Sequence, residues 1–151
     1  MTVTFFGHAD FLGTEEYEQK ILAFLEKKVG DELADMYLGG YGNFDAFAHA
    51  CCEKYKKTHP KISLIFVTPY LTSSCLHDRL HNRQKGYDFV IYPEIENKPK
   101  RYAITYRNQY MIDKADYLVC YVLHSWGGAY AAYKYAKRKG REIYKLADFE
   151  E

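Results

Sequence analysis

The sequence lacks an excess of charge of either sign. Its 21 Lys and Arg residues nearly cancel its 20 Asp and Glu residues, which leaves a formal net charge of +1. A protein that holds nucleic acid mainly by neutralising phosphates needs a basic surplus or a basic stripe. The charge balance therefore argues against nucleic acid as a partner of this chain.

Long hydrophobic runs are also missing. The apolar stretches are far shorter than the ~20 residues that span a bilayer. The first residues, 1–7, have neither the basic n-region nor the small-residue cleavage site of a signal peptide. We therefore expect a protein of the cytoplasm, with no membrane partner.

Cysteine is scarce, and the four cysteines lack the spacing of a metal or redox site. They form no CxxC pair, and no Cys and His residues stand at the spacing of zinc ligands. Cys51 and Cys52 follow an apolar helical pattern and Cys120 lies in an apolar run, which favours buried free thiols. The sequence predicts neither a metal nor a bound cofactor.

The standard nucleotide-binding motifs are absent. The sequence has two Gly-Gly turns, and neither is followed by the Lys-Ser/Thr of a P-loop. Neither turn matches GxGxxG, so NAD-dependent hydride transfer has no support in the sequence. Any nucleotide site in this chain is built on a different pattern.

What the sequence does contain is the ordinary balance of one globular domain. Its 151 residues are 48% hydrophobic and 27% charged, and single cores usually hold roughly 100–200 residues. Tyrosine is the exception, with 16 residues. A flat apolar ring with a polar tip suits stacking on a base or an interface, although rings that cover the margins of a sheet account for most of them.

Strand patterns alternate with helical patterns along the chain. Short β-prone or apolar runs predict strands over 3–6, 34–38, 62–67, 89–92, 117–122 and 142–144. Apolar residues at helical spacing predict helices over 15–29, with Thr14 as N-cap, and over 44–55, 99–114 and 128–139, with a weaker pattern over 71–83. Such alternation predicts one α/β domain over 1–151, Rossmann-like, with a mostly parallel sheet and helices on both faces.

Three predicted strands end in glycine-bearing turns that lead into helices. Ligands of open parallel sheets bind outside the carboxyl ends of the strands, and glycine lets backbone N–H groups approach a ligand. A helix that begins after such a turn offers free N–H donors to phosphate. The turns are Phe6-Gly7-His8, Gly39-Gly40-Tyr41-Gly42-Asn43-Phe44-Asp45 and His124-Ser125-Trp126-Gly127-Gly128-Ala129. We predict phosphate binding there, although tight turns that bind nothing also use glycine.

Polar and aromatic side chains stand among these glycines. Asp45 could bind ribose hydroxyls or, equally well, cap its helix and steady the loop. Ser125 can donate to a phosphate oxygen. Trp126, between a strand and the second Gly-Gly turn, suits a stacking or lid role better than a place in the core.

Two further side chains are candidates for contact with a ligand. His8 could read a base edge or a phosphate, and local hydrogen bonding in its turn explains it nearly as well. Arg107, next to Asn108 in a predicted helix, could clamp a phosphate. A structural ion pair with Asp113 or another acid is the alternative for Arg107.

Together these motifs resemble the SLOG superfamily, the Rossmann-like domains shared by the Smf/DprA DNA-processing proteins and the Lonely Guy (LOG) cytokinin-activating enzymes. The residues that carry the resemblance are 5–8, 39–45, 106–108 with Met111 and Asp113, and 124–129. Within the superfamily the chain looks most like the small YpsA-like proteins of Firmicutes and their phages, which implies the host cytoplasm if a phage encodes it. The resemblance implies a pocket for a nucleotide-derived molecule, such as an ADP-ribose-type signal. It also implies a sensor or a sequestering sponge in bacterial defence or anti-defence.

One departure from the LOG enzymes concerns catalysis. Those enzymes carry Pro-Gly-Gly-x-Gly-Thr-x-x-Glu, whose glutamate helps to cleave an N-glycosidic bond. The equivalent segment, 125–133, keeps Gly-Gly and lacks both the Gly-Thr and the acid. Without that carboxylate, the usual stabiliser of an oxocarbenium-like transition state is missing. The sequence therefore favours binding without turnover.

On this interpretation the glycine turns hold phosphate through backbone N–H groups, and Arg107 is its ionic partner. Asp45 and Asn43 address the ribose. The candidates for covering the base are Trp126, Tyr41 and Phe44. The alternatives are a LOG-type phosphoribohydrolase, opposed by the missing glutamate, and a DNA-handling protein, opposed by the charge balance. Likeness to LOG enzymes also implies a homo-oligomer.

Overall fold

Six strands and four helices alternate along the part of the chain that the computed structural model describes, residues 1–70 and 85–149. The elements in chain order are β1 (Thr2–Gly7), α1 (Glu15–Lys28), β2 (Ala34–Leu38), α2 (Gly42–Thr58), β3 (Ile62–Val67), β4 (Phe89–Ile91), a 3-10 turn (Lys100–Tyr102), α3 (Ala103–Lys114), β5 (Tyr117–Tyr121), α4 (Gly128–Arg138) and β6 (Glu142–Lys145). The predicted alternation is confirmed. The weak helical pattern over 71–83 lies outside the described residues.

The first helix shows how local sequence sets these boundaries. Thr14 is its N-cap, and the Thr14 hydroxyl accepts a hydrogen bond from the Tyr17 N–H at 3.3 Å. Acidic residues occupy the first turn and Lys27 and Lys28 the last, which matches the helix dipole at both ends. The predicted cap is therefore confirmed.

The helices cover both faces of the sheet, two on each. Ile21 and Leu25 of α1 pack with Phe44 of α2 in one apolar core. Met111 of α3 and Ala132 of α4 belong to the core on the opposite face. Among the described residues, no helix has the length and apolar character needed to cross a membrane.

The thiols predicted to be buried are buried. Cys51, Cys52 and Cys120 are free and enclosed in the cores. Burial raises the pKa of Cys51 and of Cys120 to about 12, which keeps both thiols protonated and unreactive. The structure therefore supports a packing role for all three.

The strand order places a reversal beside β1. All strand pairs are parallel, and the order across the sheet is β4-β3-β2-β1-β5-β6. The chain runs from β1 outward to β4, and it then returns to add β5 and β6 on the other side of β1. Ligands of open α/β sheets bind at such a reversal, outside the carboxyl ends of the strands.

Candidate functional site

A cavity of about 180 Å³ opens at the carboxyl edge of the sheet, beside the reversal between β1 and β5. The turns after β1 and β2 form one wall, and α3 and the start of α4 form the other. The sequence-predicted residues that line the cavity are Gly7, His8, Gly39, Tyr41, Asp45, Arg107, Asn108, Gly128 and Ala129. The sheet therefore brings the three glycine turns and the predicted arginine to one place.

The remaining predicted residues lie outside the cavity lining: Gly40, Gly42, Asn43, Phe44, Ser125, Trp126 and Gly127. Of these, Phe44 is fully buried, and its ring meets that of Phe11 edge-on at 5.1 Å. This placement corrects the prediction that Phe44 covers a base. The backbone N–H of Asn43 donates to the Ala9 carbonyl at 2.9 Å, so the start of α2 is tied to the turn after β1.

Arg107 is buried, and its side chain both links two strands of the sheet and lines the cavity. Its Nη1 donates to the carbonyl oxygens of Gly39 at 2.9 Å and Val67 at 2.8 Å. Its Nε donates to the side chain of Asn108 at 2.9 Å. The guanidinium thus joins the carboxyl ends of β2 and β3, 68 and 40 residues away in the chain.

The acid that faces Arg107 is Asp45. Among the described residues no ion pair joins Arg107 to Asp113, whose carboxylate accepts the Tyr135 hydroxyl at 2.8 Å. A Cβ at Gly39 would lie 3.1 Å from the Asp45 carboxylate and 3.3 Å from the Arg107 Nη2. Glycine at this position therefore lets both charged groups approach the backbone.

Asp45 steadies the turn before α2. Its Oδ2 accepts the backbone N–H of Tyr41 at 2.9 Å, which matches the structural alternative for this residue. Burial raises the pKa of Asp45 to about 6, although the Tyr41 N–H and the Arg107 charge both act to lower it. The carboxyl group therefore keeps its proton to a higher pH than an ordinary aspartate does.

The pKa of Asp45 predicts how stability depends on pH. Its folded-state pKa of about 6 exceeds the ordinary value near 3.8, so the native state binds more protons between these values. This residue's contribution to stability therefore falls as pH rises through that window. We expect Asp45→Asn, which keeps an acceptor for Tyr41, to raise the free energy of unfolding at about pH 7.5 by on the order of 1–2 kcal/mol.

Urea denaturation of the wild type and Asp45→Asn at about pH 4.5 and pH 7.5 measures this effect. The advantage of the variant should appear at the higher pH and shrink at the lower one. Asp148→Asn, at an exposed position, controls for the loss of one negative charge. An equal advantage of Asp45→Asn at both pH values would contradict the expectation.

Three aromatic rings form a stack beside the cavity. The His8 and His124 rings lie 3.8 Å apart at 16°, and the His124 and Trp126 rings lie 3.6 Å apart at 17°. The Nε2 of His8 accepts the Leu123 N–H at 2.8 Å, so the neutral ring carries its proton on Nδ1. Burial and the neighbouring His124 lower the pKa of His8, which agrees with that state.

The N-terminus of α4 opens toward the cavity through Gly128. The N-cap Gly127 has φ 90° and ψ 177°, a conformation that is essentially restricted to glycine. Within the described ranges no side chain caps this helix, and the first N–H groups of a helix have no partner inside it. A Cβ at Gly128 would meet no atom of the described residues within 4 Å.

Sequence reasoning missed part of the cavity wall. Ile104 and Met111 line the cavity with Arg107, at helical spacing on one face of α3. Ile104 stands three residues before Arg107 and Met111 four residues after it, so a helix through Arg107 already predicts that the three share one face. Phe6 and Ala9 also line the cavity, flanking the predicted Gly7 and His8.

The fold belongs to the Rossmann-like α/β class, and comparison with solved structures places it further. It is similar to DNA processing protein A (DprA) from Helicobacter pylori, with a TM-score of 0.61 and 15% identity over 96% of this chain and 64% of that chain. It is also similar to DprA from Streptococcus pneumoniae, with a TM-score of 0.65 and 16% identity over 95% of this chain and 49% of that chain. No family model matches the sequence, and the search of curated proteins finds no match.

At these identities the likeness shows the fold alone: the chain shares the Rossmann-like α/β fold of the DprA proteins, one of the groups that its motifs resemble. The chain spans about half to two thirds of the length of the DprA chains it matches. The greater likeness to YpsA-like proteins stays a prediction.

The comparison overturns one prediction. The Helicobacter pylori protein is described by its single-stranded DNA binding mode, and the charge balance of the present chain argued against nucleic acid. That exclusion is wrong, because net charge averages over the whole surface. The net charge of +1 therefore does not describe the cavity, which is lined by Arg107 and by the start of α4.

Proposed function

We propose that this chain binds a nucleotide at the carboxyl edge of the sheet, with a phosphate group in the cavity, and holds it without cleaving it. The observation that carries the proposal is the convergence of the Arg107 guanidinium and the N-terminus of α4 on one cavity. A guanidinium and free backbone N–H groups are the donors that proteins use for phosphate. Gly128 leaves the approach to those N–H groups open.

The size of the cavity decides how much of a nucleotide it takes. Its volume of about 180 Å³ is below the ~300–1,000 Å³ of pockets that enclose a whole drug-sized ligand. A phosphate and part of the sugar therefore enter, and the base remains at the mouth. Tyr41, which lines the cavity and is 70% exposed, stands at that mouth.

Two sources of the nucleotide fit this site. The resemblance to SLOG proteins favours a nucleotide-derived signal of the ADP-ribose type, which the chain would sense or sequester. The likeness of the fold to DprA favours single-stranded DNA as a second candidate. Both ligands present phosphate groups, so the same donors serve either one.

Holding without cleavage is supported by the positions of the carboxylates. α4 contains no acidic residue along its whole length, and Lys134 stands where the LOG motif has its glutamate. Asp45 lines the cavity, and its Oδ2 is engaged by the Tyr41 N–H. A glycosidase would need a carboxylate placed against the scissile bond.

Mass spectrometry of released ligand tests the proposal. The purified protein is incubated with ADP-ribose, its cyclic isomers, nucleoside monophosphates and short DNA strands, and is then separated and denatured. Recovery of an intact compound supports capture. Recovery of free base with ribose phosphate would replace capture by N-glycosidase activity, and retention of no compound would overturn the proposal.

Gly128→Val should weaken phosphate binding without disturbing the fold. The Cβ of the new side chain would enter the space in front of the α4 N-terminus, where no atom of the described ranges 1–70 and 85–149 lies within 4 Å and where a bound phosphate would be displaced. We expect an affinity loss of roughly tenfold or more for any retained ligand, equivalent to about 1.4 kcal/mol. Isothermal titration calorimetry with the retained compound measures the loss.

Ala131→Val is the matched control for this variant. Ala131 is exposed one turn further along α4 and does not line the cavity. Both variants should unfold at nearly the same urea concentration as the wild type. Equal affinity of Gly128→Val and Ala131→Val would remove the α4 N-terminus from the site.

A further inference from the structure

We infer that the outer face of Trp126 is a stacking position for a nucleobase, supported from behind by the rings of His124 and His8. The inference rests on the proposed function, because it places the base of the nucleotide whose phosphate enters the cavity. It adds a second contact, outside the cavity, made by a residue that the cavity lining does not include.

The geometry of the three rings carries the inference. The separations of 3.8 Å and 3.6 Å, with interplanar angles of 16° and 17°, describe one nearly parallel stack. Trp126 ends the stack and is 67% exposed. A planar base on its outer face would extend the stack of His8, His124 and Trp126 by one more ring.

The stack is fixed at its inner end. His8 is buried, and its Nε2 accepts the Leu123 N–H. The His124 Nδ1 lies 3.1 Å from the Trp126 carbonyl oxygen, which ties the middle ring to the backbone of the outer residue. A ring held in place before binding loses little freedom when a base stacks on it, so more of the contact energy appears as affinity.

The position of Trp126 also fits one nucleotide. Trp126 and Gly128 are two residues apart, so their Cα atoms are separated by at most about 7 Å. A single nucleotide spans such a gap between its phosphate and its base. A phosphate at the α4 N-terminus therefore leaves its own base, or that of the adjoining nucleotide, within reach of Trp126.

The expected specificity follows from the chemistry of stacking. Every base has a π-face, so an aromatic platform binds bases with little preference among them. Base–aromatic stacking changes affinity by roughly tenfold to a hundredfold. The probes that test this contact are ligands with and without a base.

The sequence supplies a direct reporter, because Trp126 is the only tryptophan in the chain. Intrinsic fluorescence is titrated with ADP-ribose, with an oligothymidylate and with an abasic deoxyribose-phosphate strand of the same length. We expect the base-bearing ligand that binds to quench the emission and the abasic strand to leave it nearly unchanged. Quenching by ADP-ribose identifies a free nucleotide as the source, and quenching by oligothymidylate identifies a strand.

Substitution separates the stacking contact from the phosphate contact. Trp126→Ala should lose roughly tenfold to a hundredfold in affinity for the base-bearing ligand and keep its affinity for the abasic strand or for pyrophosphate. Trp126→Phe should retain most of the wild-type affinity. Phe89→Ala, which removes an exposed ring at the start of β4, is the control and should change neither affinity.

His124 is a positioning residue in this arrangement. His124→Ala should reduce the ratio of base-bearing to abasic affinity, and His124→Phe, which restores a flat ring, should recover it. A merely structural role would lower both affinities together. Equal losses for both classes of ligand, or quenching by the abasic strand, would overturn the inference. If no probe binds at all, the proposed function fails first.

Discussion

Replacing Arg107 with Met will lower the free energy of unfolding by about 3–5 kcal/mol. The Arg107 Nη1 donates to two backbone carbonyls, those of Gly39 and Val67. Removing the guanidinium leaves both without this donor, at about 1–3 kcal/mol for each buried group. The change also removes the cation that faces Asp45. Met fills a similar volume, so the loss measures hydrogen bonding and charge more than packing.

Urea denaturation followed by circular dichroism measures this loss. Arg101→Met is the matched control, because Arg101 is exposed on the 3-10 turn just before α3 and packs its guanidinium over the Tyr102 ring. Surface substitutions of this kind usually stay within ~0.5 kcal/mol. If Arg107→Met lowered the free energy of unfolding no more than Arg101→Met does, the hydrogen bonds of Arg107 to the ends of β2 and β3 would not stabilise the fold.

Arg107→Lys separates the contribution of the guanidinium hydrogen bonds from that of the positive charge. An ammonium group keeps the positive charge but cannot reproduce the forked geometry of the guanidinium. We expect this variant to lose most of the stability that Arg107→Met loses. Recovery of full stability by Lys would show that the charge facing Asp45 is the dominant contribution.

The second large effect belongs to Gly7→Ala. A Cβ on Gly7 would overlap the Cγ of Phe44 and lie 2.6 Å from both of its Cδ atoms. Phe44 is fully buried, with its ring against Phe11 and Tyr121, so it has little room to move. Overpacking of this kind costs about 1–3 kcal/mol and sometimes more, and we expect the upper part of that range.

A double-mutant cycle isolates the cause. Phe44→Ala alone should cost about 3–5 kcal/mol because it leaves a cavity in the core. Gly7→Ala added to Phe44→Ala should cost nothing further, and it should partly fill the space that the ring vacates. Additive losses across the cycle would mean that the backbone at Gly7, and not the contact with Phe44, resists the new side chain.

The fold was largely predictable, because its signals are local. The run 117–122 is continuously apolar and reads as a strand buried on both faces, and the structure has β5 at Tyr117–Tyr121. Thr14 with the acidic turn that follows it marks the start of α1. The alternation of such segments is enough to predict a parallel sheet between two helical layers. The observed strand boundaries differ from the predicted ones by at most one residue.

The candidate site was predictable to the extent that topology brings strand ends together. Gly7, Gly39 and Gly128 share one cavity because parallel strands end at the same edge. The sequence does not show which residues far apart in the chain form hydrogen bonds with one another at that edge. The hydrogen bonds of Arg107 to Gly39 and Val67 depend on the lateral order of the strands.

The two aromatic assignments show the same limit. Phe44 and Trp126 both stand beside a glycine turn, and the sequence offered both as covers for a base. The helical position of Phe44 turns it into the core against Gly7, whereas Trp126 precedes its helix and stays 67% exposed. The stack of His124 on His8 joins residues 116 positions apart, so no local pattern could reveal it.

The central place of β1 in the sheet has a consequence for synthesis on the ribosome. β1 emerges first, yet it pairs with β5 as well as with β2. A nascent chain that ends at β4 carries the glycine turns after β1 and β2, but neither Arg107 nor the start of α4. The proposed phosphate site is therefore complete only after α4 has been synthesised and has packed against the sheet.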